Sequence, residues 1–241
     1  MQLFYCSSIT PGAMATLDAE ESRHAVRVMR KRAGDEIEVT DGRGNLFRCT
    51  IEDADDRACV IEAKSPLTTR HASPTLHLAV APTKNPSRME WLVEKAVEVG
   101  VGEITLLQCD HSERTFLKTD RLERVALSAM KQSLHIFLPK INPTVKLRDW
   151  LDLSLTTHHS SLKLIAHCEA DKPRMPLADA IEAGRDAVVL IGPEGDFSEE
   201  EITLALETGF VPVSLGPSRL RTETAAVYAA CAFSLINDRN Q

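Results

Sequence analysis

The sequence lacks several features that would each have set a class. No run approaches the roughly 20 uninterrupted apolar residues of a membrane helix. Residues 1–6 carry no basic side chain ahead of their short apolar start, and Ser7, Ser8, Thr10 and Pro11 follow at once, which is not the pattern of a secretory signal. The six cysteines, at 6, 49, 59, 109, 168 and 231, form no Cys-x-x-Cys pair and no zinc-ligand spacing. They read as reduced, mostly buried thiols in a cytoplasmic protein that needs no metal. There is no Gly-x-Gly-x-x-Gly, no Gly-x-x-x-x-Gly-Lys-Ser/Thr, no Gly-x-Ser-x-Gly and no His-Glu-x-x-His. A dinucleotide fold, a P-loop NTPase, a nucleophile elbow and a zinc protease helix are therefore unsupported. Internal repeats and low-complexity segments are absent too.

What remains is a chain of 241 residues, 43% hydrophobic and 26% charged, enough for one large domain or two smaller ones. The net charge of −7 argues against a protein that coats nucleic acid without specificity. One stretch runs the other way: Arg23, Arg27, Arg30, Lys31 and Arg32, with His24 among them, lie within ten residues. Such a run is either a solvated helix flank or a stripe that contacts phosphates.

Up to about residue 70 the pattern is β-rich. Residues 35–40, 46–51 and 58–63 read as short strands, and Asp41-Gly42-Arg43-Gly44 is a turn between the first two. One helix is expected over 18–30, giving a small barrel or half-barrel. The polar, proline-bearing stretch 64–74 reads as a linker. From residue 75 onward strands and helices alternate. Strands are expected at 76–80, 104–107, 162–166, 187–191 and 211–215, with helices at 85–100, 121–133, 176–183, 198–208 and 222–236. The run 187–191 is continuously apolar, the mark of a strand buried on both faces. The alternation predicts an open parallel α/β sheet.

Ligands of such sheets bind beyond the carboxyl ends of the strands. Two of those ends are dense. The first is Leu190-Ile191-Gly192-Pro193-Glu194-Gly195, whose glycines permit close backbone approach. It leads into Ser198 and Glu201, a capping box, with Glu199 and Glu200 in the same first turn. Three acids make that helix start a poor phosphate cradle; a neutral or positive ligand fits better. The second is Leu215-Gly216-Pro217-Ser218-Arg219-Leu220-Arg221-Thr222-Glu223-Thr224-Ala225, entering a helix of small residues. Its two arginines and acid form either one ion pair or, with the first loop, a shared ligand pocket. His158-His159 reads as a surface loop. His167, at a strand end, is either a satisfied core histidine or part of that pocket.

These two motifs, in this order, resemble the signature of the RsmE family, SPOUT-class methyltransferases that act on the uracil N3 of a specific uridine (U1498 in the usual numbering) in 16S ribosomal RNA. The similarity extends over nearly the whole chain. Arg23-His24, Val28-Met29-Arg30 and Gly34-Asp35 resemble the family's PUA-like RNA-binding domain, Lys84 to Gly100 its first long helix, and His111-Ser112-Glu113-Arg114 the following loop. The resemblance implies a PUA-like β-barrel domain over 1–70 and a SPOUT α/β domain over 75–241, with a parallel sheet and a deep trefoil knot, a chain path that general folding rules disfavour. It implies a homodimer through the SPOUT domain, with the small ribosomal subunit as partner. It implies S-adenosyl-L-methionine bound by Ala166, His167, Leu190, Ile191, Gly192, Pro193, Glu194, Gly195, Leu215, Gly216, Leu220, Arg221, Thr222, Thr224 and Ala225. The acid-rich helix start then suits a sulfonium. The RNA-binding residues carried over are Arg23, His24, Arg27, Arg30, Lys31, Arg32 and Arg114.

Two places depart from the usual pattern, a single residue and a short segment. Asp196 stands where many relatives have a second glycine. Lys131 precedes Gln132 where an acid is common, and Leu134-His135-Ile136-Phe137 follow where relatives place an arginine. Methylation at N3 requires loss of the imide proton and an unpaired base. Arg219 or Arg221 is expected to stabilise charge on the uracil oxygens, and Glu223 either accepts the proton or orients an arginine. The competing expectations are another SPOUT enzyme, such as a ribose 2′-O methyltransferase of transfer RNA, and a non-catalytic ribosome assembly factor.

Overall fold

The computed structural model describes residues 2–69, 74–158, 160–169 and 173–238. The chain divides into two compact units, Met1–Ala72 with Leu127–Leu138, and Ser73–Ala126 with Pro139–Gln241. The stretch 127–138 thus groups with the first unit, which composition did not reveal.

The first unit is a curled five-stranded sheet. Its strands are β1 (Leu3–Tyr5), β2 (Met14–Thr16), β3 (Glu36–Thr40), β4 (Asn45–Asp53) and β5 (Val60–Thr69), in the order β1-β3-β4-β5-β2. The turn after β3 forms as its sequence requires: Gly42 and Gly44 have φ of 71° and 98°, and the buried Asp41 accepts from the amides of Arg43 (2.8 Å) and Asn45 (3.2 Å). The expected linker fails over its first half, because 64–69 belong to β5. Bulges in the β4–β5 ladder accommodate the change of register and Pro66, so pairing with β4 overrides the polar composition. The remainder of that linker, 70–73, lies outside the described residues. The expected helix over 18–30 is also shorter. Asp18 caps α1 (Ala19–Arg23) by accepting from Glu20 and Glu21 amides, and a π-helical turn over His24–Val28 closes it, with Arg30 at φ 56°.

The unusual Lys131 has a structural partner within this unit. It is ion-paired to Glu21, which is 1% exposed and also accepts from the Tyr5 amide at 3.2 Å. A buried carboxylate needs such partners. The residues after it pack on the β3–β4 turn: Gly44 donates to the Ile136 carbonyl at 2.9 Å and the Leu138 amide to Gly42 at 2.8 Å. This segment is thereby occupied in packing. Four of the six free cysteines are buried, and desolvation pushes the Cys49 thiol up to about 12.

The second unit is a seven-stranded sheet of β6 (Leu76–Val80), β7 (Glu103–Gln108), β8 (Lys140–Lys146), β9 (Leu162–Ala166), β10 (Met175–Pro176), β11 (Ala187–Ile191) and β12 (Val211–Ser214), ordered β10-β12-β9-β11-β6-β7-β8. Every pairing is parallel. Its helices are α2 (Pro86–Glu98), α3 (Asp120–Gln132, shared with the first unit), α4 (Leu147–Thr157), α5 (Leu177–Ala180), α6 (Glu199–Glu207) and α7 (Thr222–Asp238). Asn85 caps α2 through the Ser87 amide with Pro86 at the first position. All five residues of β11 are buried. Val188 and Leu190 join a core with Trp150, Leu151, Ile202 and Ala205 of α4 and α6. The small residues Ala225, Ala226, Ala229 and Ala230 are buried along α7, which packs on β6 and β11 and against α2. The sequence reading missed β1, β2, β8, β10 and α4. Among the described residues no helix is long and apolar enough to cross a membrane, and no cluster of His, Cys, Asp and Glu is arranged to hold a metal.

His158 is half-buried rather than fully exposed; His159 lies outside the described residues. The His158 ring sits 4.9 Å from that of His77, which is 4% exposed and hydrogen-bonded to Thr105 Oγ1 at 2.8 Å. Burial lowers the His77 pKa to about 4, helped by His158 and Lys140 and opposed by Glu103. The unfolded chain then binds the extra proton first. Stability from this group is complete above the ordinary histidine value of about 6.5 and declines as pH falls towards the folded value. Urea unfolding between pH 7 and 4 is expected to show that decline, and His77→Gln is expected to flatten it; an unchanged slope would contradict the assignment.

Candidate active site

The register of the parallel sheet brings three carboxyl ends level. Ile191 is opposite Ala166, and Ala166 is opposite Val213. A cavity of about 580 Å³ opens beyond them. From the β9 end it takes Ala166 and His167; from the β11 end, Ile191, Gly192, Pro193, Glu194 and Gly195. The third loop and the start of α7 contribute Leu215, Gly216, Leu220, Arg221, Thr222 and Ala225, together with Arg219. The two expected loops therefore do share one pocket. Leu190 is the exception on the first loop. One residue short of the strand end, its side chain alternates away from the cavity into the fully buried core. Cys168, Arg174, Asp196 and Ser218 also line the cavity, and reading by motif missed them as cofactor-site residues.

Crowding explains the glycines. A Cβ on Gly192 would stand 3.1 Å from the Phe197 ring and 3.2 Å from its amide nitrogen, and one on Gly195 would stand 3.0 Å from His111 Cβ. Gly216 is glycine for a different reason, a φ of 108°. The walls are tied together by polar contacts. Thr222 Oγ1 donates to the Gly192 carbonyl at 3.0 Å. Glu194 accepts from the Lys84 amide at 3.1 Å, and Arg114 donates to the Lys84 carbonyl at 2.8 Å. Arg114, expected on RNA, thus braces the loop before α2. The Lys84 ammonium pairs with Glu113, which raises its pKa above the ordinary lysine value. His167 is 4% exposed; its Nδ1 accepts from the Glu169 amide at 3.2 Å and its carbonyl from Arg174.

Asp196, expected to stand where many relatives carry glycine, takes a left-handed backbone conformation. Its φ is 64°, a region aspartate tolerates better than most residues. Its carboxylate accepts from the Cys168 amide at 2.7 Å and the Phe197 amide at 2.9 Å, tying the β9 loop to the β11 loop. The acid-rich start of α6 needs correcting. Glu199, Glu200 and Glu201 do not line the cavity. Glu201 is buried and closes the capping box while accepting from the Asp110 amide at 2.9 Å, and Glu200 pairs with Arg148. Those acids serve the helix, and the acids that line this cavity are Glu194 and Asp196.

A second hollow of about 540 Å³ adjoins the first and shares Arg219, Leu220 and Arg221 with it. Thr224 and Glu223 lie here, with Ser87, Arg88 and Trp91 of α2. Glu223 is 6% exposed, and its partner is Arg88, at 3.6 Å, rather than the two neighbouring arginines. Among the described residues Arg219 and Arg221 are exposed and engaged in no ion pair. In the first unit, Arg23, Arg27, Arg30 and Arg32 are exposed. Arg27 is paired with Asp56, Lys31 donates to the Glu36 carbonyl, and His24 is half-buried against Phe4 and Gln2.

Residues 71–234 match the model of an RNA methyltransferase domain, and residues 17–64 that of an RNA methyltransferase PUA domain. A ribosomal RNA small subunit methyltransferase E from Aquifex aeolicus is 30% identical over 231 residues, covering 94% of this chain and 96% of that one. The chain belongs to the ribosomal RNA small subunit methyltransferase E family. A solved probable rRNA-methyltransferase from Porphyromonas gingivalis is similar over 100% of both chains, with a TM-score of 0.90 and 40% identity. The Neisseria gonorrhoeae ribosomal RNA small subunit methyltransferase E, solved bound to S-adenosyl methionine, aligns over 98% of both chains with a TM-score of 0.81 and 27% identity. Asp196→Gly is expected to lose the two amide contacts but keep the backbone, at a cost of about 1 kcal/mol. Asp196→Ala adds left-handed strain of about another 1 kcal/mol. Denaturant midpoints ranking the three as Asp, then Gly, then Ala would bear this out; Ala above Gly would refute it.

Proposed function

We propose that the protein transfers a methyl group from S-adenosyl-L-methionine to N3 of one uridine of 16S ribosomal RNA, acting in the cytoplasm as a homodimer through its second unit. The observation that carries this reading is the cavity at three level strand ends, walled by the backbones of Gly192, Gly195 and Gly216. Its lining suits a zwitterion. Glu194 and Asp196 supply negative charge, and Arg174, Arg219 and Arg221 positive charge, in a volume typical of cofactor pockets. When bound there, S-adenosyl-L-methionine supplies a methyl group activated by sulfonium.

The chain's own residues supply the rest. The crowded glycine loops fix the donor's position, so that alignment provides much of the rate. Arg219 and Arg221, on the border of the two hollows, donate to the uracil oxygens as the N3 proton passes to the Glu223 carboxylate, which Arg88 orients. N3 lies on the Watson–Crick edge, so the base must be splayed out of any pairing. The exposed Arg23, Arg27, Arg30 and Arg32 hold phosphates and position the RNA without reading its sequence. Tyr228 and Leu235, 49% and 58% exposed on α7, offer apolar surface for a second copy. The return of α7 to β6, β11 and α2 after the loop 215–221 supports a knotted chain path.

The test is methyl transfer to ribosomal RNA and to assembled small subunits from a strain lacking the modification, followed by mass analysis of nucleosides. A base-methylated uridine supports the proposal. A ribose-methylated product points to a different RNA methyltransferase, and absence of S-adenosyl-L-methionine binding by calorimetry points to an assembly factor. Arg221→Ala is expected to lower turnover about 10²-fold and to leave the unfolding free energy within about 0.5 kcal/mol, since the side chain is exposed; full activity in this variant would remove Arg221 from the site. Replacing Arg27 and Arg30 together with Ala is expected to reduce the slope of log affinity against log salt by about 1.5. An unaltered slope would count against phosphate contact by this stripe.

A further inference from the structure

We infer that the second hollow is the seat of the target base and that it selects uracil by the donor and acceptor pattern of its edge. This rests on the reading above and extends it to Trp91, Arg88 and Glu223. The hollow borders the cofactor cavity through Arg219 and Arg221, so a base held in it lies beside the methyl donor's site. Trp91, the large aromatic of its lining, is 43% exposed on α2. An exposed indole beside a hollow is a stacking platform for an unpaired base.

The decisive feature is Glu223. Its side chain is 8% exposed, one oxygen faces Arg88 at 3.6 Å, and the other, Oε2, is buried with no hydrogen-bond partner among the described residues. A buried carboxylate oxygen left unsatisfied calls for a donor from a ligand. The lining of this hollow therefore offers one carboxylate acceptor and three guanidinium donors, from Arg88, Arg219 and Arg221. Uracil presents the complement: O2 and O4 accept, and N3–H between them donates. Cytosine turns an N3 lone pair towards the carboxylate and an amino group towards the guanidiniums, so it is rejected on two counts. Glu223 meets the N3–H edge of the base itself, and Arg88, which holds the other carboxylate oxygen, is the positioning residue beside it.

The experiment uses full-length protein and small-subunit RNA carrying either uridine or cytidine at the target. Trp91→Ala is expected to raise KM for the RNA about tenfold, with Trp91→Phe restoring it. The Kd for S-adenosyl-L-methionine should stay unchanged in both. Glu223→Gln, whose carboxamide both donates and accepts, is expected to reduce the preference for uridine over cytidine at least about tenfold, a change that a purely structural role would not produce. An unchanged RNA KM in Trp91→Ala together with undiminished uridine preference in Glu223→Gln overturns the seat. So does a Trp91→Ala protein that changes only its oligomeric state by light scattering, which would assign the hollow to a second copy. Failure of the wild-type chain to bind the donor overturns the proposed function itself, and the base seat with it.

Discussion

The ladder on either side of β11 is what the rest of the second unit depends on. Ala187–Ile191 pairs with β6 on one edge and β9 on the other, and all five of its residues are buried. A strand buried on both faces must be apolar throughout, and each such side chain contributes roughly 2 kcal/mol of burial. The parallel pairing then sets the register, and the register brings the ends of β9, β11 and β12 level. Loops leaving level ends in one direction have to meet, and the cavity lies where they do.

Meeting so closely constrains the loops in two separate ways. At Gly192 and Gly195 the constraint is space: Phe197 and His111 fill the volume a Cβ would take. At Gly216 and Asp196 it is backbone conformation. Aspartate is acceptable at the latter because its carboxylate recovers two amide contacts, one of them across to the β9 loop. The bonds from Thr222 to Gly192 and from Glu194 to the Lys84 amide finish a frame in which polar side chains hold loop backbones rather than solvent. A ligand entering such a frame meets groups already fixed, which is the condition for catalysis by alignment.

The first unit obeys a different logic. Its sheet is mixed and curled and has short edges, and its helix α1 ends in a π-helical turn that leaves several arginines in solvent. Buried charge occurs at Glu21, and Lys131 answers it. The lysine that looks anomalous beside Gln132 is thus explained by packing, as are Leu134–Phe137, whose backbone lies along the β3–β4 turn.

Much was legible in the sequence. The alternation of periods gave the parallel sheet, the apolar run 187–191 gave its centre, Asn85, Asp18 and Ser198 marked helix starts, and the two glycine-bearing loops marked the cavity. Strand β8 was not legible because an edge strand with polar residues and Pro143 carries no alternation, and α4 went unseen because Lys146 supplies no side-chain cap, although Leu147, Trp150 and Leu151 have helical spacing. Strand β5 was cut short because its pairing with β4, not its composition, extends it to Thr69. The sequence by itself determined which segments are strands or helices wherever local periodicity and capping agree, because those signals act over a few residues. Only the tertiary structure decided that Glu223 faces Arg88 rather than Arg219 or Arg221, that Glu201 is a buried cap, and that Leu190 turns away from the site. Those outcomes depend on which distant side chain arrives within a few ångströms, and no local pattern records that.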